Sequence, residues 1–333
     1  MKLFLASLAF LGAASAFSAE ASYKLSHRIP LTGAESWDYL SIEPQSHRLF
    51  VTRGNHVDVI DLQTDAVIGK ITKGVDGAHG IAFISKMNKA YLTSGNRAKV
   101  LIFNLTTLEV QGEIATGEKP DAVIYDDNSG KLFVFNGISK SITVIDPATD
   151  TVIKTIVLDG RPEFAVALGD GIFFNNENTN SVGMIETKTF TLKKVWTLPG
   201  CEEPTGLSAN AEEGRLFSVC KNGVMVVSDS EAGKVVTNIP IGNGADASVF
   251  DDGYVFSSNG VSGNLNVIKA KDANTFEIAQ TLTTQVGART MMVDPTDHKI
   301  YTISGQFVQV DPATPKVKPA IIPGSVEILV FDK

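Results

Sequence analysis

The chain has 333 residues, 29 Lys+Arg against 37 Asp+Glu for a net charge of −8, 43% hydrophobic and 20% charged residues. The apolar share is ample for a core and the charge too sparse for disorder. The acidic balance counts against a dedicated nucleic-acid binder, whose phosphate affinity rests on clustered Lys and Arg.

Residues 1–19 read as a secretory signal peptide. Lys2 is the positive n-region, Leu3 to Ala14 is apolar apart from Ser7, and Ala14-Ser15-Ala16 offers a cleavage site, with Ala19 a second. A membrane anchor would need about 20 apolar residues; this stretch falls short, and no later segment reaches that length. The expectation is an exported chain, periplasmic or secreted, with no membrane span. In an oxidising compartment the two cysteines, Cys201 and Cys220, are expected to form a disulfide.

A repeat then runs through the chain. Trp37-Asp38-Tyr39-Leu40, Ala78-His79-Gly80-Ile81, Pro120-Asp121-Ala122-Val123 and Pro162-Glu163-Phe164-Ala165 begin it. Pro204-Thr205-Gly206-Leu207, Ala245-Asp246-Ala247-Ser248 and Ala288-Arg289-Thr290-Met291 complete it. Their second positions are spaced by 41, 42, 42, 42, 41 and 43 residues. Each unit parses into four short β-rich runs. In the first these are a strand after Trp37, then Arg48 to Thr52, Val57 to Asp61 and Ala66 to Ile71, with turn formers such as Asp146-Pro147-Ala148-Thr149-Asp150 between the last two runs of other units. Four strands at a period near 42 mark the blade of a β-propeller, so the expected fold is all-β, seven four-stranded antiparallel blades. One domain over 20–333, acting as a monomer, replaces the two-domain prior that length alone allows.

The last strand of every unit runs to a glycine: Gly74, Gly117, Gly160, Gly200, Gly242 and Gly287, with Gly33 the seventh. The segment ahead of Gly33 has no first three strands of its own. It is therefore expected to close the ring as the outer strand of the last blade, beside Glu327 to Phe331, with Gln306 to Gly324 an irregular excursion within that blade.

These features resemble the YVTN-repeat, YncE-like seven-bladed propellers, exported bacterial proteins mostly without a defined reaction. The resemblance spans essentially the whole mature chain. The naming tetrapeptide is degenerate, as in Phe50-Val51-Thr52-Arg53 and Tyr91-Leu92-Thr93-Ser94.

In a propeller the innermost strands line the channel, so their first residues form a ring at one mouth: Asp38, His79, Asp121, Glu163, Thr205, Asp246 and Arg289. Converging carboxylates raise one another's pKa and attract cations. Asp38, His79, Asp121 and Glu163 are candidate ligands of a divalent cation. Arg289 is a candidate clamp for a carboxylate or phosphate, or else an inter-blade tie to Glu163 or Asp246. The polar run Asn175 to Asn180 reads as a solvated turn, and Trp37 as packing between blades. No Cys-x-x-Cys-His, Gly-x-Ser-x-Gly or multi-histidine set is present. Two functions follow as expectations: a non-enzymatic binding module taking a small molecule or protein at the loop-rich face, or a metal-assisted lactonase, hydrolase or lyase. In the second, Glu163 or Asp121 would be base or metal ligand, His79 acid or ligand, and Arg289 substrate clamp.

Overall fold

The computed structural model describes residues 22–309 and 319–333. The signal-peptide reading of residues 1–19 falls outside them, as does part of the 306–324 excursion. Seven four-stranded antiparallel sheets stand around one axis; the strands of each blade are called a to d from the channel outward. In blade 1 they are Trp37–Glu43, Arg48–Arg53, His56–Asp61 and Ala66–Ile71.

The burial pattern follows from that arrangement. Strands b and c lie between two neighbouring blades and are buried on both faces, so they read as nearly continuous apolar runs such as Leu49-Phe50-Val51. Strand d is the outer edge, and in blade 1 only Ile71 of it is buried. Lys70, Lys154 and Lys194 on such edges discourage pairing with other chains. The c–d turns are set locally: the Asp61 carboxylate accepts the Gln63 and Thr64 N–H groups at 2.8 and 3.0 Å, and Asp65 turns through the left-handed region.

Blade 7 is assembled from both ends of the chain. Its strands a, b and c are Met291–Val293, Ile300–Ser304 and Glu327–Asp332, and strand d is Lys24–Pro30. Ile29 stands opposite Ile328 and Lys24 opposite Asp332. The expected ring closure is therefore the observed one. The core is distributed as seven apolar clusters, one at each junction between neighbouring blades. Trp37 lies in the cluster joining blades 7 and 1, tilted against Phe307. No helix among the described residues is long and apolar enough to cross a membrane.

Cys201 and Cys220 form a disulfide with Cα atoms 5.5 Å apart, inside the cluster joining blades 4 and 5. The run at Asn175 departs from expectation. Asn175, Asn176 and Glu177 are buried because Asn175 ties blade 4 to blade 5. Its Nδ2 donates to the Thr205 and Gly206 carbonyls at 2.8 and 3.1 Å, and its Oδ1 accepts from Ser218 at 2.8 Å.

Candidate functional site at the channel mouth

Strand a opens irregularly in six blades. The pairing of a with b breaks between Trp37 and Leu40, Ala78 and Ile81, Pro120 and Val123, Pro162 and Ala165, Pro204 and Leu207, and Ala245 and Ala247. Asp38, His79, Asp121, Glu163, Thr205 and Asp246 lie within those breaks. A bulge frees the backbone from the ladder and re-aims its side chain, and that places the ring.

The structure brings Asp38, His79 and Asp121 together from blades 1, 2 and 3. His79 Nδ1 is hydrogen-bonded to Asp38 Oδ2 and lies 3.6 Å from Asp121 Oδ1. The other ring nitrogen, Nε2, is buried without a partner. Gly95 makes room for the ring: a Cβ there would come within 2.9 Å of His79 Cδ2. Burial opposes the charged imidazole, but the Asp38 bond and the charges of Asp121 and Asp38 outweigh it and hold the His79 pKa above its ordinary value.

The remaining carboxylates differ in their partners. Asp246 is held by Arg289, whose Nε donates to Oδ2 at 2.9 Å while Nη2 donates to the Trp37 carbonyl at 2.6 Å. Arg289 thus ties blade 7 to blades 6 and 1, through Asp246 and not Glu163. Even so, burial pushes Asp246 up to about 6. Burial, with His79 working against it, also raises Asp121. Glu163 is raised well above the carboxylate range by burial first and then by the charges of Asp121 and Glu177. Its Oε2 has no hydrogen-bond partner, and its nearest cation, Arg161, is 4.0 Å away. Thr205 does not present its hydroxyl to the channel: it is buried, with Oγ1 2.9 Å from the Ala245 carbonyl and 3.3 Å from that of Val219.

Beneath the ring, Tyr39 of blade 1 and Phe164 of blade 4 meet across the channel with ring centroids 5.2 Å apart, and both line a largely apolar pocket of about 240 Å³. The mouth is therefore a cup with an aromatic floor.

A second tier above the ring escaped the sequence reading. In six of the seven blades the residue two before the ring position accepts a backbone hydrogen bond from the residue that follows strand b. The pairs are Ser36 with Gly54, Gly77 with Gly95, Lys119 with Gly137, Arg161 with Glu177, Glu203 with Lys221 and Gly244 with Gly260. Blades 1, 2 and 6 carry small residues at both positions, whereas blades 3 to 5 carry charge. Lys221 Nζ donates to Glu177 Oε1 at 2.6 Å and Glu203 Oε2 at 2.8 Å, and Arg161 Nη1 lies 2.8 Å from Glu177 Oε2. Aligning the units at these two positions, rather than at the ring alone, would have exposed them.

Two other histidine clusters are internally satisfied. His47, Asp294 and Asp297 lie together at a–b turns on the opposite face. There Asp294 is bonded by His47 and the Thr296 N–H, and Asp297 by Lys299. His56 is buried with Asp58 and Asn55, next to the fully buried Arg53, which lies 3.3 Å from Asp58.

Raised carboxylates make a stability prediction with a definite sign. A carboxyl group whose folded pKa is raised holds a proton that the unfolded chain has already released, so stability falls as pH climbs through that window. Glu163→Gln should therefore melt above the wild type at pH 8 in the presence of chelator. The gap should close towards about pH 4, the ordinary carboxylate range. Thermal melts across that pH range check this; a variant less stable at pH 8 would contradict it.

No protein-family model and no curated protein matches the sequence. Among solved structures, a chain titled Kuenenia stuttgartiensis Hydrazine Synthase is similar with a TM-score of 0.70 at 12% identity, over 87% of this chain and 96% of that one. At that identity the likeness carries the fold alone. Fold and mouth together define the class: a seven-bladed β-propeller, an architecture suited to an interaction or binding scaffold, here with an acidic cup over a Tyr39–Phe164 aromatic contact.

Proposed function

We propose that the protein is an exported, non-enzymatic binding propeller of the YVTN-repeat, YncE-like kind. In this reading residues 1–19 are a cleaved signal peptide, residues 20–333 form one monomeric domain, and the channel mouth takes a divalent cation on Asp38, His79 and Asp121, with Glu163 beside them. The observation that carries this is the convergence of one donor atom from each of those three residues, all within 4.8 Å of one another, on three successive blades. Two carboxylate oxygens and an imidazole nitrogen suit a borderline ion such as Mn²⁺ or Zn²⁺. A bound cation would also supply the positive charge that the buried Asp121 and the half-buried Glu163 lack. The disulfide supports an oxidising compartment. The hydrolase reading gains no comparable support, because Arg289, its substrate clamp, is engaged by Asp246 and the Trp37 carbonyl.

Calorimetric titration of chelator-treated protein with Mn²⁺ at pH 7.5 tests this. One equivalent should bind to the wild type, and affinity should fall at least roughly tenfold in Asp121→Asn, which removes one charged ligand. Absence of binding, or binding unchanged in the variant, would sink the reading.

A further inference from the structure

Lys119 stands apart in the second tier. It occupies the position that blades 2, 6 and 7 fill with Gly77, Gly244 and Gly287, all at positive φ, and it shares that conformation at φ 55°. L side chains rarely adopt this backbone, so a side chain here runs against the local preference that the sister blades satisfy with glycine. Glu203, at φ 51° in blade 5, has a structural reason to be there, its bond to Lys221. Lys119 has none of that kind: its Nζ donates to Asn96 Oδ1 at 3.2 Å and, among the described residues, forms no ion pair. It is nonetheless half-buried, stands two residues before Asp121, and lines the same cleft as Asp38 and His79.

Lys119 overlooks a cleft of about 530 Å³ that runs from the cup between blades 1 and 2, lined by Asp38, His79, Asn55, Asn96, Lys119 and Arg289. Its carboxylates are Asp38, Glu35 and Asp76, the last accepting from Asn96 Nδ2 at 2.8 Å, and its cations are Lys119 and Arg289. An anion alone would be repelled by Asp38 and Asp121. Once a cation sits on those carboxylates, the same cleft offers an anion the metal on one side and Lys119 on the other.

We infer that Lys119 is the anchor for a small chelating carboxylate that enters the cleft after the cation and completes its coordination. The inference rests on the cation reading above and adds the class of ligand, the order of binding and the residue that selects it. An ammonium in this position opposes the bare cation and favours the loaded pair, so its removal has opposite effects on the two steps.

Calorimetry with Mn²⁺ and oxalate as probes reads both steps. Oxalate should bind Mn²⁺-loaded wild type with one-to-one stoichiometry and should not bind the metal-free protein. In Lys119→Gly, oxalate affinity should fall roughly tenfold or more, as a charge-assisted contact is lost, while Mn²⁺ affinity should hold or rise. Lys119→Arg should keep the oxalate step. Since glycine is the residue the sister blades use, Lys119→Gly should melt no lower than the wild type, which separates loss of binding from loss of fold. Oxalate binding that persists in Lys119→Gly, that needs no metal, or that is absent from the Mn²⁺-loaded wild type would overturn the inference and leave the cation reading standing. Failure of the wild type to bind Mn²⁺ would overturn both.

Discussion

Deletion of residues 23–33 is expected to abolish cooperative folding of the whole ring. Strand d of blade 7 contributes Ile29 to the junction with blade 1 and is flanked by Tyr23 and Leu31, all three buried. Burying three such side chains stabilises by roughly 1.5–3 kcal/mol each, which together is comparable to the whole stability of about 5–15 kcal/mol of a typical domain. The deletion also strips the pairing partner from Glu327–Asp332 and leaves a bare strand edge open to association. A single Ile29→Ala change should cost about 3 kcal/mol and keeps the test informative if the truncated chain cannot be isolated. Circular dichroism melts check both; a truncated protein melting at the wild-type temperature would contradict the closure.

Loss of the disulfide should be the next largest effect. Cys201 lies between strand d of blade 4 and strand a of blade 5, and Cys220 ends strand b of blade 5, with a sequence separation of 19. Closing a loop of that size stabilises by about 3 kcal/mol in the chain-entropy model. A Cys201→Ala/Cys220→Ala variant should therefore melt roughly 5 °C or more below the wild type. The effect should extend to the mouth, because Lys221, the next residue, is held by the backbone carbonyls of Glu202 and Glu203 and carries the charge opposite Glu177. Denatured, unreduced wild type should show no titratable thiol; two thiols would contradict the bridge.

The fold was legible because a propeller writes its topology into the period. Asp38 to Arg289 recur at steps near 42, and the orphan segment before Gly33 can only be placed in the last blade. The ring was legible as a set of positions but not as a geometry. The pairing of Arg289 with Asp246 rather than Glu163, and the turning of the Thr205 hydroxyl towards the Ala245 carbonyl, depend on bulges that no residue pattern announces. The second tier was hidden for a different reason. Asn175 to Asn180 has the polarity of a solvated turn, and only the neighbouring blade, with its Thr205 carbonyl and Lys221, makes Asn175 and Glu177 buried ties. Lys119 and Glu203 went unseen because three of their sister positions, Gly77, Gly244 and Gly287, are glycines, which read as ordinary turn residues.

The most direct test of the cation cup is anomalous diffraction from crystals of the protein soaked in Mn²⁺. The account predicts one strong peak among Asp38, His79 and Asp121 at the channel mouth, and none at the satisfied cluster of His47, Asp294 and Asp297 on the opposite face. A mouth without a peak at saturating Mn²⁺, or a peak on the opposite face alone, would contradict it.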